Sequence, residues 1–443
     1  MKHLFAALVA ALLLFTPVLA TKKVFAHLLV GNTPEMELSE WENDMRLAKA
    51  SLIDGFALNI ASQDSNNVRS LKRAFQAAEK VGGFKLFFCF DYEAQGPWRA
   101  DQIVDLLDEY AGRDVYFKHE GTRPMVTTFE GTGSADDWNR IKKVFPDLYF
   151  IPDWSSAGPE RAVKLGGGVA DGLASWGAWP EGKKSISTQL DRAYLAALGG
   201  KGYMMPVSPW FYTNLPGWNK NWLWRGDGLW ELRWNQVASV DPDYVQILTW
   251  NDYGESHYIG PIHEKQLALF EHGRAPINYA KDMPHDAWRK LLPWYISVYK
   301  NGRPPARVLQ ETAVIYYRPS PARACDGGGT VANAASHGQK EMPPEEVLAD
   351  KVFWSALLNS DKGLSVKVKI GDDEDYARSL TLVPPAGMGR PGVYAGSVPF
   401  NGRTGPVQVT VMQGGRTVAV VRGSKNITNH CEKGIQNWDA VVA

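Results

Sequence analysis

The sequence predicts a (β/α)8 barrel followed by an antiparallel β-sandwich, and three observations carry that expectation. Between Val24 and Arg274 one unit recurs at a period of about thirty residues: a short β-rich apolar run, a polar break, then a stretch of helical periodicity. The apolar runs are continuous rather than alternating, as strands buried on both faces of a parallel sheet must be. Beyond the break Gly302-Arg303-Pro304-Pro305 the texture changes to short β-prone runs separated by Gly, Asp and Pro turns.

The candidate barrel strands are Val24 to Val30, Gly55 to Ile60, Lys85 to Phe90, Pro124 to Glu130, Leu148 to Asp153, Gly172 to Trp179, Gly202 to Pro209 and Tyr244 to Trp250. Eight βα units in about 250 residues match a closed barrel. An open doubly wound sheet fits less well, because no Gly-rich phosphate fingerprint follows the first strand. Helices are expected at Ser39 to Ala50 and Asn67 to Val81, where apolar residues recur at three- and four-residue spacings. Asp286 to Lys300 reads as a last helix packed on the barrel. The sandwich strands are expected at Ala313 to Tyr317, Val352 to Leu358, Leu364 to Ile370, Ser379 to Val383, Gly392 to Val398, Val407 to Gln413 and Thr417 to Arg422. The small-residue stretch from Asp326 to Gly338 reads as a flexible loop of that domain. The chain thus divides into residues 1–20, a barrel over 21–300 and a β-sandwich over 301–443.

The first twenty residues set the compartment. Lys2 and His3 precede an apolar run from Leu4 to Phe15, and Val18-Leu19-Ala20 offers small residues for cleavage, the pattern of a secretory signal peptide. A secreted protein, extracellular or wall-bound, is expected. It has no membrane association after cleavage, since no other run approaches about 18 apolar residues. The 48 Lys and Arg balance the 48 Asp and Glu, so no net field draws the chain to nucleic acid. Cys325 and Cys431 are expected to form a disulfide, leaving Cys89, inside a dense apolar run, as a buried thiol. Asn426-Ile427-Thr428 is a glycosylation sequon.

In such a barrel the chemistry stands at the C-terminal ends of the strands. Asn59, Asp91, Glu130, Asp153 and Asp252 stand there. The strongest local signal is Thr249-Trp250-Asn251-Asp252-Tyr253-Gly254-Glu255-Ser256-His257-Tyr258, in which a strand runs into two carboxylates three residues apart. Such a pair suits a general acid and a general base, although two acids so spaced also cap helices. Ten of the 17 Trp lie in or just after strands five to eight; Trp154, Trp176, Trp210 and Trp250 are candidates to stack on sugar rings, whereas Trp230 and Trp234, four apart on a helix, read as core. No serine elbow or P-loop is present, and the His residues lack His-x-x-x-His spacing, so no catalytic metal site is expected; His27 and His257 are candidates for the cleft.

Phe25-Ala26-His27 with Val30-Gly31-Asn32, Asp54 to Asn59, Phe90-Asp91, Trp222-Leu223-Trp224-Arg225-Gly226-Asp227 and Thr249 to Ile259 together resemble the glycoside hydrolase family 71 α-1,3-glucanases. The resemblance spans the barrel and, more loosely, the sandwich. It implies hydrolysis of insoluble α-1,3-glucan with inversion at the anomeric carbon and with no metal or organic cofactor. It also carries the catalytic pair onto Asp252 and Glu255, with Glu255 expected as acid and Asp252 as base, an order the sequence does not fix. Substrate contacts are expected from His27, Asn59, Asp91, Asp153, Trp154, Trp176, Trp210, Tyr212, Trp250, Asn251, Tyr253 and His257. Cys89 departs from the small residue usual in the family, and no Ser/Thr-rich linker with a binding module follows the sandwich. A monomer is expected. A barrel glycosidase of another linkage and a non-catalytic glucan-binding wall protein are the alternatives; keeping two mutually repelling acids argues against the second.

Overall fold

The structure, a computed structural model, describes residues 22–376, 381–382 and 390–443. The expected signal peptide lies outside these residues. Of the expected strand from Ser379 to Val383, only Thr381–Leu382 falls inside them, and it is a strand.

Eight parallel strands close into a barrel: Lys23–Leu29, Gly55–Ala61, Lys85–Asp91, Arg123–Phe129, Tyr149–Asp153, Gly172–Ala174, Gly202–Val207 and Tyr244–Ile247. The first pairs with the eighth, and the third pairs with the fourth to complete the circle. Three strands end earlier than the apolar runs suggest. The chain leaves the sheet at Ala174, Val207 and Ile247, and the apolar residues that follow build the barrel mouth. Helices Leu38–Ala50 and Asn67–Val81 lie where periodicity places them; Leu71, Ala74, Phe75 and Ala78 of the second face the sheet. The floor of the barrel is filled by aromatic rings, with Phe25 edge-on to Phe87 and to Phe117 at 4.8 Å each.

An unexpected hairpin, Tyr212–Leu215 with Lys220–Leu223, rises from the mouth between the seventh strand and helix Leu229–Val240. Its four-residue strands are too short to announce themselves by alternation.

The C-terminal region is an antiparallel sandwich of one five-stranded and one four-stranded sheet. The last strand, Val441–Val442, returns beside Thr312–Tyr317. The sandwich shares a core with the barrel: Val314, Tyr316, Phe353 and Leu357 belong to the same apolar cluster as the barrel strands. Glu231 of helix Leu229–Val240 accepts hydrogen bonds from Tyr316 and Ser355 of the sandwich. Cys325 and Cys431 are bridged, and Cys89 is a buried free thiol. Asn426 is exposed. No helix among the described residues is long and apolar enough to cross a membrane.

The stretch after Cys325 is not the free loop expected from its small residues. Val331–Ala332 pairs in parallel with Trp222 and Leu223, so the chain from the sandwich domain is laid against the barrel hairpin.

Candidate active site

Two adjoining chambers open at the C-terminal ends of the barrel strands. The inner one, about 320 Å³, is lined by His27, Asn59, Asp91, Trp176, Lys220, Trp222, Trp224, Asp252, Glu255 and His337, among others. The outer one, about 660 Å³, shares Trp176, Trp224 and His337 and continues past Glu130, Ser155 and Trp179. A larger cavity of about 840 Å³ lies at the opposite face, around Lys23, Lys85 and His119, where barrel residues serve stability rather than chemistry.

The turn after the eighth strand builds the inner chamber's acid pair. Asn251 pins it to the first strand through Leu29, accepting from its amide at 2.8 Å and donating to its carbonyl at 3.0 Å. The Asp252 amide donates to Thr249 Oγ1 at 3.0 Å. Asp252 Oδ1 in turn accepts from the Glu255 amide at 3.0 Å, capping the short 3-10 turn Tyr253–Glu255. Capping and chemistry are therefore compatible, since one carboxylate oxygen caps the turn while the side chain lines the chamber. Gly254 serves close packing here rather than a left-handed turn: a Cβ there would stand 3.0 Å from Leu215 of the hairpin.

Glu255 is held from two sides. Its Oε1 accepts from the Lys220 ammonium at 2.8 Å, and its Oε2 stands 2.9 Å from His257 Nε2. His257 Nδ1 lies 3.1 Å from Thr249 Oγ1, which fixes the ring. Burial alone would raise the Glu255 pKa, but Lys220 and His257 outweigh it and hold the carboxyl below the usual carboxylate range. Asp252 goes the other way, pushed up by burial and then by the Glu255 charge. Two acids with opposite shifts are the electrostatic arrangement that separates a proton donor from an ionised partner. His27 is held neutral, its pKa lowered to about 3 by burial and by His257.

Ligand-type atoms of Asp252, Glu255 and His257 all lie within 4.8 Å of one another. The Lys220 ammonium already supplies positive charge to this cluster, and both His257 nitrogens are in contact with protein partners. The donor set is thus engaged without an ion.

His27, Asn59, Asp91, Trp176, Asp252 and Glu255 line the chamber. Asn59 donates to Asp91 Oδ2 at 3.2 Å, while Asp91 Oδ1 caps its own turn by accepting from the Glu93 and Ala94 amides. The other expected contacts are buried behind the wall. Trp154 packs outward on Phe150, because the residue after an inward-facing strand end points into the helix layer. Trp250 does the same and donates to Asp44 of helix Leu38–Ala50 at 2.9 Å. Trp210 donates to the Trp438 carbonyl, tying the barrel to the C-terminal segment. Tyr212 packs on Tyr279, Tyr253 donates to the Pro261 carbonyl, and Asn251 and His257 position the turn. Asp153 accepts from Ser155 Oγ, which accepts from the Trp176 amide at 2.7 Å, so this acid positions Trp176 from behind. Its pKa is raised to about 7 by burial and then by Glu130.

Lys220, Trp222, Trp224 and His337 line the chamber although sequence reasoning did not place them there. A signal existed for the first three, which sit two apart and so share one face of an extended segment.

The model of glycosyl hydrolase family 71 matches residues 20–443. The chain belongs to this family. Family 71 membership makes it a glycoside hydrolase, and its relatives agree. A mutanase of Penicillium rubens is 33% identical over 93% of this chain and 86% of its own length. A glucan endo-1,3-alpha-glucosidase of Schizosaccharomyces pombe is 39% identical over 69% of this chain and 72% of its own. An ascus wall endo-1,3-alpha-glucanase of the same yeast is 30% identical over 65% and 68%. Among solved structures, a family 99 endo-alpha-mannosidase matches at a TM-score of 0.49 and 13% identity, covering 63% of this chain and 98% of that one.

Proposed function

We propose that this family 71 hydrolase cleaves α-1,3-glucosidic bonds of an insoluble glucan, acting outside the cell as a monomer and using Asp252 and Glu255 as its acid–base pair. The observation that carries the reading is the pair itself, at the mouth of a barrel whose relatives are named for cleaving this linkage. The name of the ascus wall relative and the N-terminal apolar leader support a role at the wall.

The electrostatics favour the reverse of the order first expected. Asp252, with its raised pKa, suits the acid that protonates the leaving oxygen; Glu255, kept ionised by Lys220 and His257, suits the partner that takes a proton from water. The pair converges instead of splaying. One oxygen of each carboxyl lies within 4.8 Å of the other, nearer the roughly 5–5.5 Å of pairs that retain configuration than the roughly 6.5–9.5 Å of pairs that hold a water between them. Inversion, which the family resemblance implies, then calls for water held beside the pair; the engagement of both Glu255 oxygens by Lys220 and His257 supports it over direct attack on carbon.

Purified protein assayed for reducing ends on alkali-extracted α-1,3-glucan, β-1,3-glucan, dextran and starch tests the linkage. Release from the first alone is expected. Release from another polymer with none from α-1,3-glucan would overturn the reading.

A further inference from the structure

We propose that His337, carried by the C-terminal domain, is a substrate-binding residue that completes the sugar-binding wall formed by Trp222 and Trp224. The inference rests on the glucan reading above and extends it to a domain that reading leaves without a role.

The placement is built in by several contacts. Just past the Cys325–Cys431 bridge, the Gly328 carbonyl accepts from Asn221 Nδ2 at 2.9 Å, and Thr330 donates to Asn221 Oδ1 at 2.6 Å. The chain then pairs with the hairpin at Trp222 and Leu223, and the Asn333 amide donates to the Leu223 carbonyl at 2.9 Å. Trp224 Nε1 donates to Gln339 Oε1 at 2.7 Å, which closes the far end of the segment. Between these anchors His337 is exposed at the junction of the two chambers and lines both.

The chemistry around it is what a sugar ring requires. The imidazole lies 5.5 Å from the Trp224 ring, nearly edge-on, and 6.1 Å from the Trp222 ring. Aromatic faces bind the C–H surface of a pyranose, and an adjacent polar group fixes its hydroxyls. No side-chain hydrogen bond occupies either His337 ring nitrogen among the described residues, so both are available. Partial enclosure by the cleft walls, with the Lys220 charge, lowers its pKa against the opposing Glu255 charge, which favours the neutral ring that can both donate and accept.

His337→Ala and His337→Gln in the full chain test this on soluble α-1,3-linked glucooligosaccharides. The Ala variant is expected to raise KM at least fivefold with kcat within twofold of wild type, and Gln, which can still hydrogen-bond, to recover most of the loss. Melting temperatures should match, since the side chain is exposed. A KM within twofold of wild type in the Ala variant, or an equal loss in both variants, would overturn the proposal and leave the segment a scaffold. A wild type that does not cleave these oligosaccharides would instead overturn the glucan reading on which it stands.

Discussion

The Lys220 ammonium stands 2.8 Å from Oε1 of Glu255, joining the hairpin to the turn that follows the eighth barrel strand. The hairpin thus contributes directly to the proposed acid–base pair. Replacing Lys220 by Met removes the cation and leaves the burial that raises the Glu255 pKa. An opposite charge at this range shifts a carboxyl by roughly one to three pH units. Because the shift holds Glu255 ionised, its loss means that activity fades at a higher pH as the solution is acidified. The acid limb of kcat/KM against pH should therefore move upward in Lys220→Met, and an unmoved limb would show that Lys220 does not set the Glu255 charge.

The roles within the pair can be separated by leaving group. Asp252→Asn should lose about 10²–10⁴ in rate on glucan, yet cleave an oligosaccharide bearing a dinitrophenolate leaving group almost normally, because that group departs without a proton. Glu255→Gln should be slow on both and be rescued by azide, which needs no base. The opposite pattern would assign the acid to Glu255.

Much of this was legible in the sequence, for reasons that differ by residue. Parallel barrel strands must be apolar on both faces, so runs such as Leu86 to Phe90 stand out unaided. The polar residue ending each run then marks the mouth, which is how Asn59, Asp91 and Asp252 were placed. Trp176 lines the chamber as expected, whereas Trp154 does not, because a strand end has two sides: Trp154 packs on Phe150, while Asp153 reaches Trp176 through Ser155. Trp210 was beyond reach, since its partner Trp438 lies 228 residues away. His337 was hidden for the same reason. Small residues that look flexible in isolation are ordered by a hairpin more than a hundred residues upstream.

The disulfide closes a sequence separation of 106 residues and stands at the base of the segment carrying His337. Thiol labelling under denaturing, non-reducing conditions should find one reactive cysteine, Cys89; three would refute the bridge. Replacing Cys325 and Cys431 by Ser should cost about 2–4 kcal/mol of stability, read from denaturant midpoints.

Stereochemistry follows from the engaged state of Glu255. If it activates water rather than attacking carbon, the first-formed reducing end from an α-linked oligosaccharide is the β-anomer. Proton NMR in the first minutes of reaction should show that signal lead. An initial excess of α-anomer would require a carboxylate nucleophile, with Asp91 the next chamber acid to examine.

The central claim is tested most directly by the masses of products released from insoluble α-1,3-glucan by wild type, Asp252→Asn and Glu255→Gln in parallel. Wild type should release a series of hexose oligomers, and each variant at least about a hundredfold less at an unchanged melting temperature. A wild type that releases none, or variants that release as much as wild type, would contradict it.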